Sequence, residues 1–262
     1  MILDSIQSVV RPSFYRSVHS KSFRATVGYF TYLGFIFGFA ATLAMYIHVR
    51  PLIAEAVAWA SSQIPTLTLA DGKLACGVPG PTLIRHPKIQ EAAFIIDTQR
   101  TQPVSAGEMV EKKVIAYLTQ STIYVLTQRR MEVYDLSKAK QPKPLTLDAE
   151  FFRQLGVSLN RILYPIAFVS TWIAFLVWRH FATVFYTLPG LLINALSSAS
   201  LDYPTVYKIA VYAQTPAIVL QAAAMVMSVR IPWFGLLTIL VVCGYLFMGV
   251  SQQKQAREAG EI

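Results

Sequence analysis

Few residues of this chain are placed to do chemistry, and Asp97 is the one candidate acid. It follows the short apolar run Phe94-Ile-Ile, and a carboxylate at a strand end can act as a general acid or base. No nucleophile or second base is placed near it, and aspartates in turns commonly have structural roles. Asp71 is assigned to a predicted hairpin turn. We therefore predict no catalytic residue and no enzymatic activity, with Asp97 as the acid of a less favoured enzyme alternative.

Metal and cofactor binding are not predicted either. The histidines are scattered along the chain, at His19, His48, His86 and His180. No two of them are four residues apart, and none accompanies a second type of metal ligand. Cys76 lies in a polar region and Cys243 in an apolar segment, so a disulfide between them is not expected.

Polar residues within the apolar C-terminal region are more informative. Tyr207, Gln214 and Gln221 recur every seven residues and so share one helix face, with Pro216 beside them. Asn194 lies in the preceding apolar segment. Polar side chains in lipid face the bundle interior or a cavity. Two interpretations stay open: a polar binding site or path between helices, and hydrogen bonds that hold helices together.

A second pattern on one helix face consists of small residues. Gly34 and Gly38 form a G-x-x-x-G pattern, with Ala41 next along the same face. Small residues at this spacing allow two helices to approach closely. The face predicts packing against other helices of the same chain, with self-dimerisation as the alternative.

The composition favours lipid as the surroundings of these elements. Apolar residues make up 54% of the 262 residues and charged residues 14%, where soluble chains have roughly 25% charged residues. The formal charge of +9 comes from basic residues at the flanks of apolar segments and through one polar region, rather than from a clustered basic face. Nucleic-acid binding is therefore not expected.

The first membrane span is predicted at residues 25–47, which carry no charge. This length suits a bilayer core of about 30 Å, and the apolar run exceeds the ~7–15 residues of a cleaved signal peptide. The basic residues before it are Arg11, Arg16, Lys21 and Arg24, against a single acid, Asp4. The positive-inside rule then places the N-terminus in the cytoplasm and the following polar region outside.

Further spans are predicted at residues 162–178, 181–198, 207–228 and 233–250. The first two are separated by Arg179-His180, and together they have nearly twice the length that one crossing needs. We predict five spans with the C-terminus outside. The alternative is four spans, with residues 161–198 crossing once as a long broken or partly interfacial helix and the C-terminus inside; the count of basic residues slightly favours this alternative.

The polar region at residues 50–159 predicts an extracytoplasmic α+β domain of about 100 residues. A short helix is predicted at residues 55–62. Asp71-Gly72 between strands 66–69 and 73–76 predicts a hairpin, and residues 122–127 and 131–136 predict a second one. Residues 94–97 predict another strand. A helix capped by Thr146 or Asp148 is predicted to lead into the second span.

The expected order is thus a cytoplasmic segment at residues 1–24, a helix at 25–49, the external domain at 50–159, a helix bundle at 160–250 and a polar tail at 251–262. The first segment has an apolar stripe, formed by Ile2, Leu3, Ile6, Val9 and Val10. This stripe is interpreted either as a short helix lying on the cytoplasmic membrane face or as part of a disordered terminus.

Several motifs in order resemble a known family. They are Pro12-Ser-Phe-Tyr-Arg-Ser17, Ile64-Pro-Thr-Leu-Thr-Leu-Ala-Asp-Gly-Lys-Leu74, Phe94-Ile-Ile-Asp-Thr98 and Tyr207-Lys-Ile-Ala-Val-Tyr-Ala-Gln-Thr-Pro216. Their order resembles the bacterial family numbered 1189 among the domains of unknown function, over nearly the whole chain. The last motif also resembles the Tyr-Ala-x-x-Pro element of the Yip-type membrane proteins. The resemblance implies a bacterial cytoplasmic-membrane protein with a Yip-like bundle, and it supplies no catalytic residues.

Two functional hypotheses follow. The favoured one is a non-enzymatic scaffold or accessory subunit, whose external domain binds another membrane or envelope protein; self-association is left open. The alternative is a transporter or lipid-handling protein that uses the face formed by Asn194, Tyr207, Gln214 and Gln221. The lipid bilayer is a partner in both.

Overall fold

The computed structural model describes residues 1–88, 93–127, 130–138 and 144–260. The chain divides into two compact units. The helical unit comprises Met1–Val49 and Ile162–Ile262, and the sheet unit comprises Arg50–Arg161. The helices, in chain order, are α1 Ile2–Val10, α2 Phe23–Gln63, α3 Ala106–Glu111, α4 Ala149–Ser197, α5 Tyr203–Ala213, α6 Thr215–Val226 and α7 Phe234–Glu258.

Four helices of the described chain are long and apolar enough to cross a membrane. They are α2, α4, the α5–α6 pair as one unit, and α7. The prediction of two separate helices within residues 162–198 is wrong, because α4 is continuous from Ala149 to Ser197. The described chain has four such helices, whereas we predicted five spans with four as the alternative.

The polar pair in the middle of α4 does not interrupt the helix, because each of the two side chains has a hydrogen-bond partner in the fold. The Arg179 guanidinium donates to Gln221 across 2.6 Å, and His180 Nδ1 lies 2.8 Å from the Leu176 carbonyl of its own helix. Pro189 also lies inside the helix. A charge within an apolar run predicts a loop only when no neighbouring helix offers the charge a partner.

The N-terminal segment and the last turns of α7 lie at the same end of the helical unit, which we call the terminal end. A 3₁₀ helix at Pro12–Ser17 packs there against the last turns of α7. Arg16 Nε donates to Gln252 Oε1 across 2.9 Å, and Arg257 Nη1 donates to the Ser200 carbonyl across 2.8 Å. Lys208 Nζ donates to the His19 carbonyl across 2.6 Å. The prediction that the two termini lie on opposite sides is therefore wrong.

The small-residue face of α2 packs against α4 of the same chain. A Cβ added at Gly34 would lie 2.9 Å from Phe175 Cδ1, and one at Gly38 would lie 3.4 Å from the Phe168 carbonyl oxygen. Ala41, further along the face, is half-buried. Both glycines thus lie against α4 of the same chain, and self-dimerisation stays untested.

The sheet unit contains two sheets. Its strands are β1 Leu67–Ala70, β2 Lys73–Cys76, β3 Thr82–Arg85, β4 Ala93–Ile96, β5 Ala116–Leu118, β6 Thr122–Leu126, β7 Met131–Asp135 and β8 Leu145–Leu147. Three form a sheet of order β2-β1-β8, and five form a sheet of order β3-β4-β5-β6-β7. All neighbours are antiparallel except β4 and β5, which are parallel.

Both predicted hairpins are confirmed, and so is the strand at 94–97 apart from its bounds. β1 pairs with β2 and β6 with β7. The tip of the second hairpin, residues 128–129, lies outside the described residues. In the first turn, Asp71 and Gly72 both have positive φ angles, 51° and 72°, as a type I′ turn requires.

Two predictions in this region need correction. Residues 145–147 form β8, which pairs with β1, so Thr146 lies in a strand and does not cap a helix. The α4 helix begins at Ala149, and Asp148 Oδ1 accepts from the Phe151 N–H across 2.8 Å, as an N-cap does. The short helix at 55–62 is the last part of α2, which continues through Pro51.

Candidate functional site

The strongest candidate site in the helical unit is centred on Arg179, a buried cation in the middle of α4. Its exposed fraction is 7%. Arg179 precedes the end of α4 at Ser197 by 18 residues, and Gln221 follows the start of α5 at Tyr203 by 18 residues. At about 1.5 Å per residue, both lie about 27 Å from the helix ends at the terminal end. Gln221 is close to the opposite end, since α6 ends at Val226.

Among the described residues, the Arg179 guanidinium has neutral partners only. Its Nη2 donates to Gln221 Oε1 across 2.6 Å. The guanidinium carbon lies 5.7 Å from the centroid of the Phe175 ring, within cation–π range. The sequence has no Asp or Glu in residues 5–49, 162–201 or 203–257. Since a guanidinium carries five N–H donors, Arg179 keeps donors for an anion that reaches it.

Two clefts meet at Gln221. The first has a volume of about 280 Å³, and its lining residues are Phe37, Thr171, Ala174, Phe175, Trp178, Arg179 and Gln221. The second has a volume of about 240 Å³, and its lining residues are Gln221, Ala224, Met225, Val229, Ile231 and Phe234. The second cleft includes the turn between α6 and α7, so the two together connect the surroundings of Arg179 with that turn. Most of the lining is apolar, with a cation and an amide where the clefts meet.

A row of hydroxyl and amide groups extends from Arg179 towards the terminal end. Thr183 Oγ1 donates to the Arg179 carbonyl across 2.7 Å and accepts from Gln214 Nε2 across 2.8 Å. Thr187 Oγ1 donates to the Thr183 carbonyl across 2.8 Å. Gln214 is fully buried, and its Oε1 has no hydrogen-bond partner among the described residues. This acceptor lies at the break between α5 and α6, one residue before Thr215.

The four residues predicted as one polar face separate into three places. Gln214 and Gln221 both face α4, where they bond Thr183 and Arg179. Asn194 lies at the end of α4, where its side chain exchanges two hydrogen bonds of 3.0 Å with the backbone of Leu201. Tyr207 lies near the terminal end, with its ring 6.0 Å from that of Phe23. The structure therefore brings two of the four together and leaves Asn194 and Tyr207 apart from them.

Sequence reasoning missed Arg179, which we assigned to a loop between two spans. Two signals in the sequence could have identified it. A charged residue inside an apolar stretch marks a functional position in membrane proteins more often than a loop. Arg179, Thr183 and Thr187 also recur every four residues, which places them on one face of a continuous helix.

In the sheet unit, Asp97 belongs to a network of charged and polar groups. Asp97 Oδ2 accepts from the Tyr117 hydroxyl across 3.1 Å. Arg100 binds both oxygens of Glu108, at 2.6 and 2.7 Å, and Lys112 Nζ donates to the same carboxylate across 2.8 Å. The hydrogen bonds from Arg100 and Lys112 lower the pKa of Glu108 to about 2. The contacts on Asp97 are those of a residue that holds a strand end in place.

The rim of this network forms an open concavity of about 500 Å³. Its lining residues are Pro81, Asp97, Gln99, Arg100, Thr101 and Gln102. Because Arg100 is already paired with Glu108 in a bidentate arrangement, its guanidinium is not an uncompensated charge in this concavity. Within the described residues, no three His, Cys, Asp or Glu side chains are grouped so that they could hold a metal ion.

In the comparison with known proteins, the model of the family described as "Protein of unknown function (DUF1189)" matches residues 5–250, which is most of the chain. No curated protein and no solved structure matches the chain.

Proposed function

The chain belongs to the DUF1189 family, and we propose that it is a non-enzymatic, lipid-handling membrane protein that binds an anionic lipid headgroup between α2, α4 and α6. One observation carries this proposal. Arg179 is a buried cation that has no carboxylate partner in the described part of the chain, and its guanidinium lines a cleft with apolar walls. An isolated charge in such surroundings is costly unless it is paired. An anionic ligand supplies the missing charge.

A lipid fits this site better than a compact ion does. A phosphate group accepts two parallel N–H···O bonds from a guanidinium, which is the strongest arrangement available to Arg179. Phe37, Trp178 and Phe234 line the apolar parts of the clefts, against which an acyl chain packs. Gln221 lies five residues before the end of α6, about 8 Å along the helix, so a headgroup at the membrane boundary is within reach of the long arginine side chain.

The orientation in the membrane follows from the distribution of cations. Seven basic residues lie at the terminal end: Arg11, Arg16, Lys21, Arg24, Lys208, Lys254 and Arg257. The turn between α6 and α7, at the opposite end, carries Arg230. We infer from the positive-inside rule that the chain crosses a bacterial cytoplasmic membrane four times with both termini in the cytoplasm. The sheet unit is then extracytoplasmic, and the lipid enters from the outer leaflet.

The test is a comparison of ligands on the purified full-length protein. Thermal unfolding in a mild detergent is followed with added phosphatidylglycerol, phosphatidylcholine or inorganic phosphate, and retained lipids are identified by native mass spectrometry. We expect phosphatidylglycerol to raise the Tm and phosphatidylcholine to have no effect. An equal effect of inorganic phosphate would identify a free anion as the ligand and contradict the lipid proposal.

Arg179→Gln removes the cation and is expected to reduce strongly both the Tm increase and the amount of retained anionic lipid. Lys254→Gln is the matched control, because it removes a positive charge from the terminal end, away from the clefts. Its response to phosphatidylglycerol should equal that of the unmodified protein. If Arg179→Gln, still monodisperse and helical by circular dichroism, retained anionic lipid at the original level, the site would lie elsewhere.

A second candidate function concerns the sheet unit, and β7 favours it. This outer strand of the five-stranded sheet pairs with β6 alone among the described strands. Val133 and Tyr134 on it are more than half exposed. An unpaired strand edge with exposed apolar side chains can accept a strand from another protein. We propose on this basis an accessory-subunit role in which the sheet unit binds a membrane or envelope protein along β7.

Site-specific photo-crosslinking in cells tests this role. A photoreactive amino acid replaces Tyr134 on β7, and in a control protein it replaces Leu83 on β3, the opposite outer strand. Leu83 is similarly exposed. A single discrete adduct from position 134 and none from 83 is expected. The same adducts from both positions, or none from either, would contradict a partner that docks along β7.

A further inference from the structure

The orientation of α1 on the helical unit is the reverse of that found in water-soluble proteins. Ser8 is fully buried and faces the bundle, where its hydroxyl lies 3.5 Å from the Tyr29 hydroxyl. Asp4 and Ser5, on the same side, are half-buried, and Asp4 binds Lys21. The polar side of this short helix therefore packs on the protein.

The apolar side of α1 faces away from the protein. Ile2, Leu3, Ile6 and Val10 are each between 58% and 69% exposed, although they are the most apolar residues of the helix. In water, this arrangement would expose several large aliphatic side chains while a serine and an aspartate are sequestered, which opposes the hydrophobic effect. The arrangement is favourable only if an apolar medium covers the outer side.

The depth of α1 identifies that medium. The Tyr245 hydroxyl donates to the Val9 carbonyl across 2.9 Å, which attaches the last turn of α1 to α7. Tyr245 is six residues before Ser251, where the sequence of α7 becomes polar, and this corresponds to about 9 Å of helix. Helices that lie in a membrane interface bury their apolar side about 5–10 Å into the boundary between headgroups and acyl chains.

The charges around α1 complement an anionic leaflet. Arg11 directly follows the helix, and Arg24 begins the first turns of α2; both are exposed. Phe23, which precedes Arg24 at the start of α2, is 59% exposed. Cations at this level attract acidic phospholipids.

We propose that α1 is inserted in the membrane leaflet at the terminal end, with its outer apolar side among acyl chains and with Arg11 and Arg24 at anionic headgroups. This surface is separate from the Arg179 clefts, which open towards the other end of the helical unit. Lipid covers the outer apolar side of α1 in this proposal. The test must distinguish lipid from a second copy of the chain bound at the same surface.

The experiment places a spin label on the outer side of α1 in the full-length protein. Cys76→Ser and Cys243→Ala remove the native thiols, and Ile6→Cys takes the label. Ser13→Cys, at an exposed polar position just after α1, is the matched control. Each protein is reconstituted in vesicles of phosphatidylcholine, alone or in equal parts with phosphatidylglycerol. The accessibility of the label to oxygen and to a water-soluble nickel chelate is then measured.

We expect the label at position 6 to be accessible to oxygen and protected from nickel, and the label at position 13 to be accessible to nickel. Arg11→Gln with Arg24→Gln should reduce the protection of position 6 in the anionic vesicles and leave it unchanged in pure phosphatidylcholine. Access of nickel to position 6 in both lipids would overturn the proposal. Dipolar broadening between labels at position 6, independent of lipid, would instead identify a second copy as the occupant.

Discussion

The Gln221→Glu substitution should change the proposed affinity for lipid while leaving the stability of the helical unit nearly unchanged. The substitution keeps the shape of the side chain that accepts from Arg179 across 2.6 Å, and it supplies the carboxylate that the bundle lacks. Two unit charges about 4 Å apart attract by roughly 4 kcal/mol at an effective dielectric constant of 20. The carboxylate loses several kcal/mol of hydration on burial. Because these contributions largely cancel, we expect the free energy of unfolding to change by no more than about 1 kcal/mol.

The affinity for an anionic lipid should respond far more strongly. A charge-assisted hydrogen bond contributes about 1.5–3 kcal/mol, and each 1.4 kcal/mol corresponds to a tenfold change in Kd. With Glu at position 221, the guanidinium is already paired, and the new carboxylate repels a phosphate. We therefore expect the affinity for phosphatidylglycerol to fall by about 10- to 100-fold or more.

Gln221→Leu should have the opposite pattern. It leaves the buried guanidinium without its hydrogen-bond acceptor, so the lipid-free protein should lose about 1.5–3 kcal/mol of stability. The cation stays available, so binding of phosphatidylglycerol is retained and restores part of the lost stability by mass action.

The assay for both variants is thermal unfolding in detergent with increasing phosphatidylglycerol, beside a direct measurement of bound lipid. The glutamate variant should be stable and unresponsive, and the leucine variant unstable and responsive. If the glutamate variant bound phosphatidylglycerol as tightly as the unmodified protein, the guanidinium would not be the headgroup ligand and the reasoning from Arg179 would fail.

Three further predictions concern packing and pH. Gly72→Ala should lower the stability of the sheet unit by about 2 kcal/mol more than Gly80→Ala does, which is the size of effect that overpacking and strain produce. Both residues have positive φ angles, but only at Gly72 would the added Cβ meet backbone atoms, at 2.6 Å. Chemical denaturation of each variant measures the difference. Gly34→Ala should destabilise the helical unit by about 1–3 kcal/mol, and Gly38→Ala by less, since the nearest contacts are 2.9 Å and 3.4 Å; thermal unfolding in detergent that reverses this order would contradict the packing. Glu108 has a folded pKa of about 2, below its usual value, so its contribution to stability is present above pH about 4.5 and is lost as the pH falls towards 2. Glu108→Gln should therefore reduce the slope of stability against pH in that window only, as followed by acid titration of unfolding.

The parts of the fold that could be predicted from sequence are those fixed by local chemistry. Asp71-Gly72 specifies a turn with two positive φ angles, so the first hairpin follows from two residues. The apolar run of α2 and the small residues Gly34 and Gly38 likewise reflect constraints that act along one helix. In contrast, we predicted a helix start at the residues of β8. A strand of three residues is too short to show an alternation of apolar and polar side chains, and it forms because it pairs with β1.

The number of helices was mispredicted for a related reason. A hydropathy pattern treats Arg179 as polar wherever it lies, whereas the energy of a charge depends on its partner. The amide of Gln221, 42 positions away in the chain, allows α4 to continue through the arginine. The seven-residue spacing of Gln214 and Gln221 did identify the face that meets α4, but it gave no means of excluding Tyr207, because the break at Gln214 changes the direction of the face.

The same contact gives a physical reason why the site should be occupied in a membrane. A neutral amide satisfies one donor of a guanidinium, and the charge itself stays uncompensated in surroundings from which water is largely excluded. If Arg179 had only a structural role, an apolar residue of similar volume would make the fold as stable, or more stable. The double substitution Arg179→Met with Gln221→Leu should therefore leave the bundle folded while removing its affinity for anions. A costly cation at a position where an apolar residue would serve the fold is expected of a residue that binds a ligand. Without lipid, the bundle should be least stable where α4 meets α6.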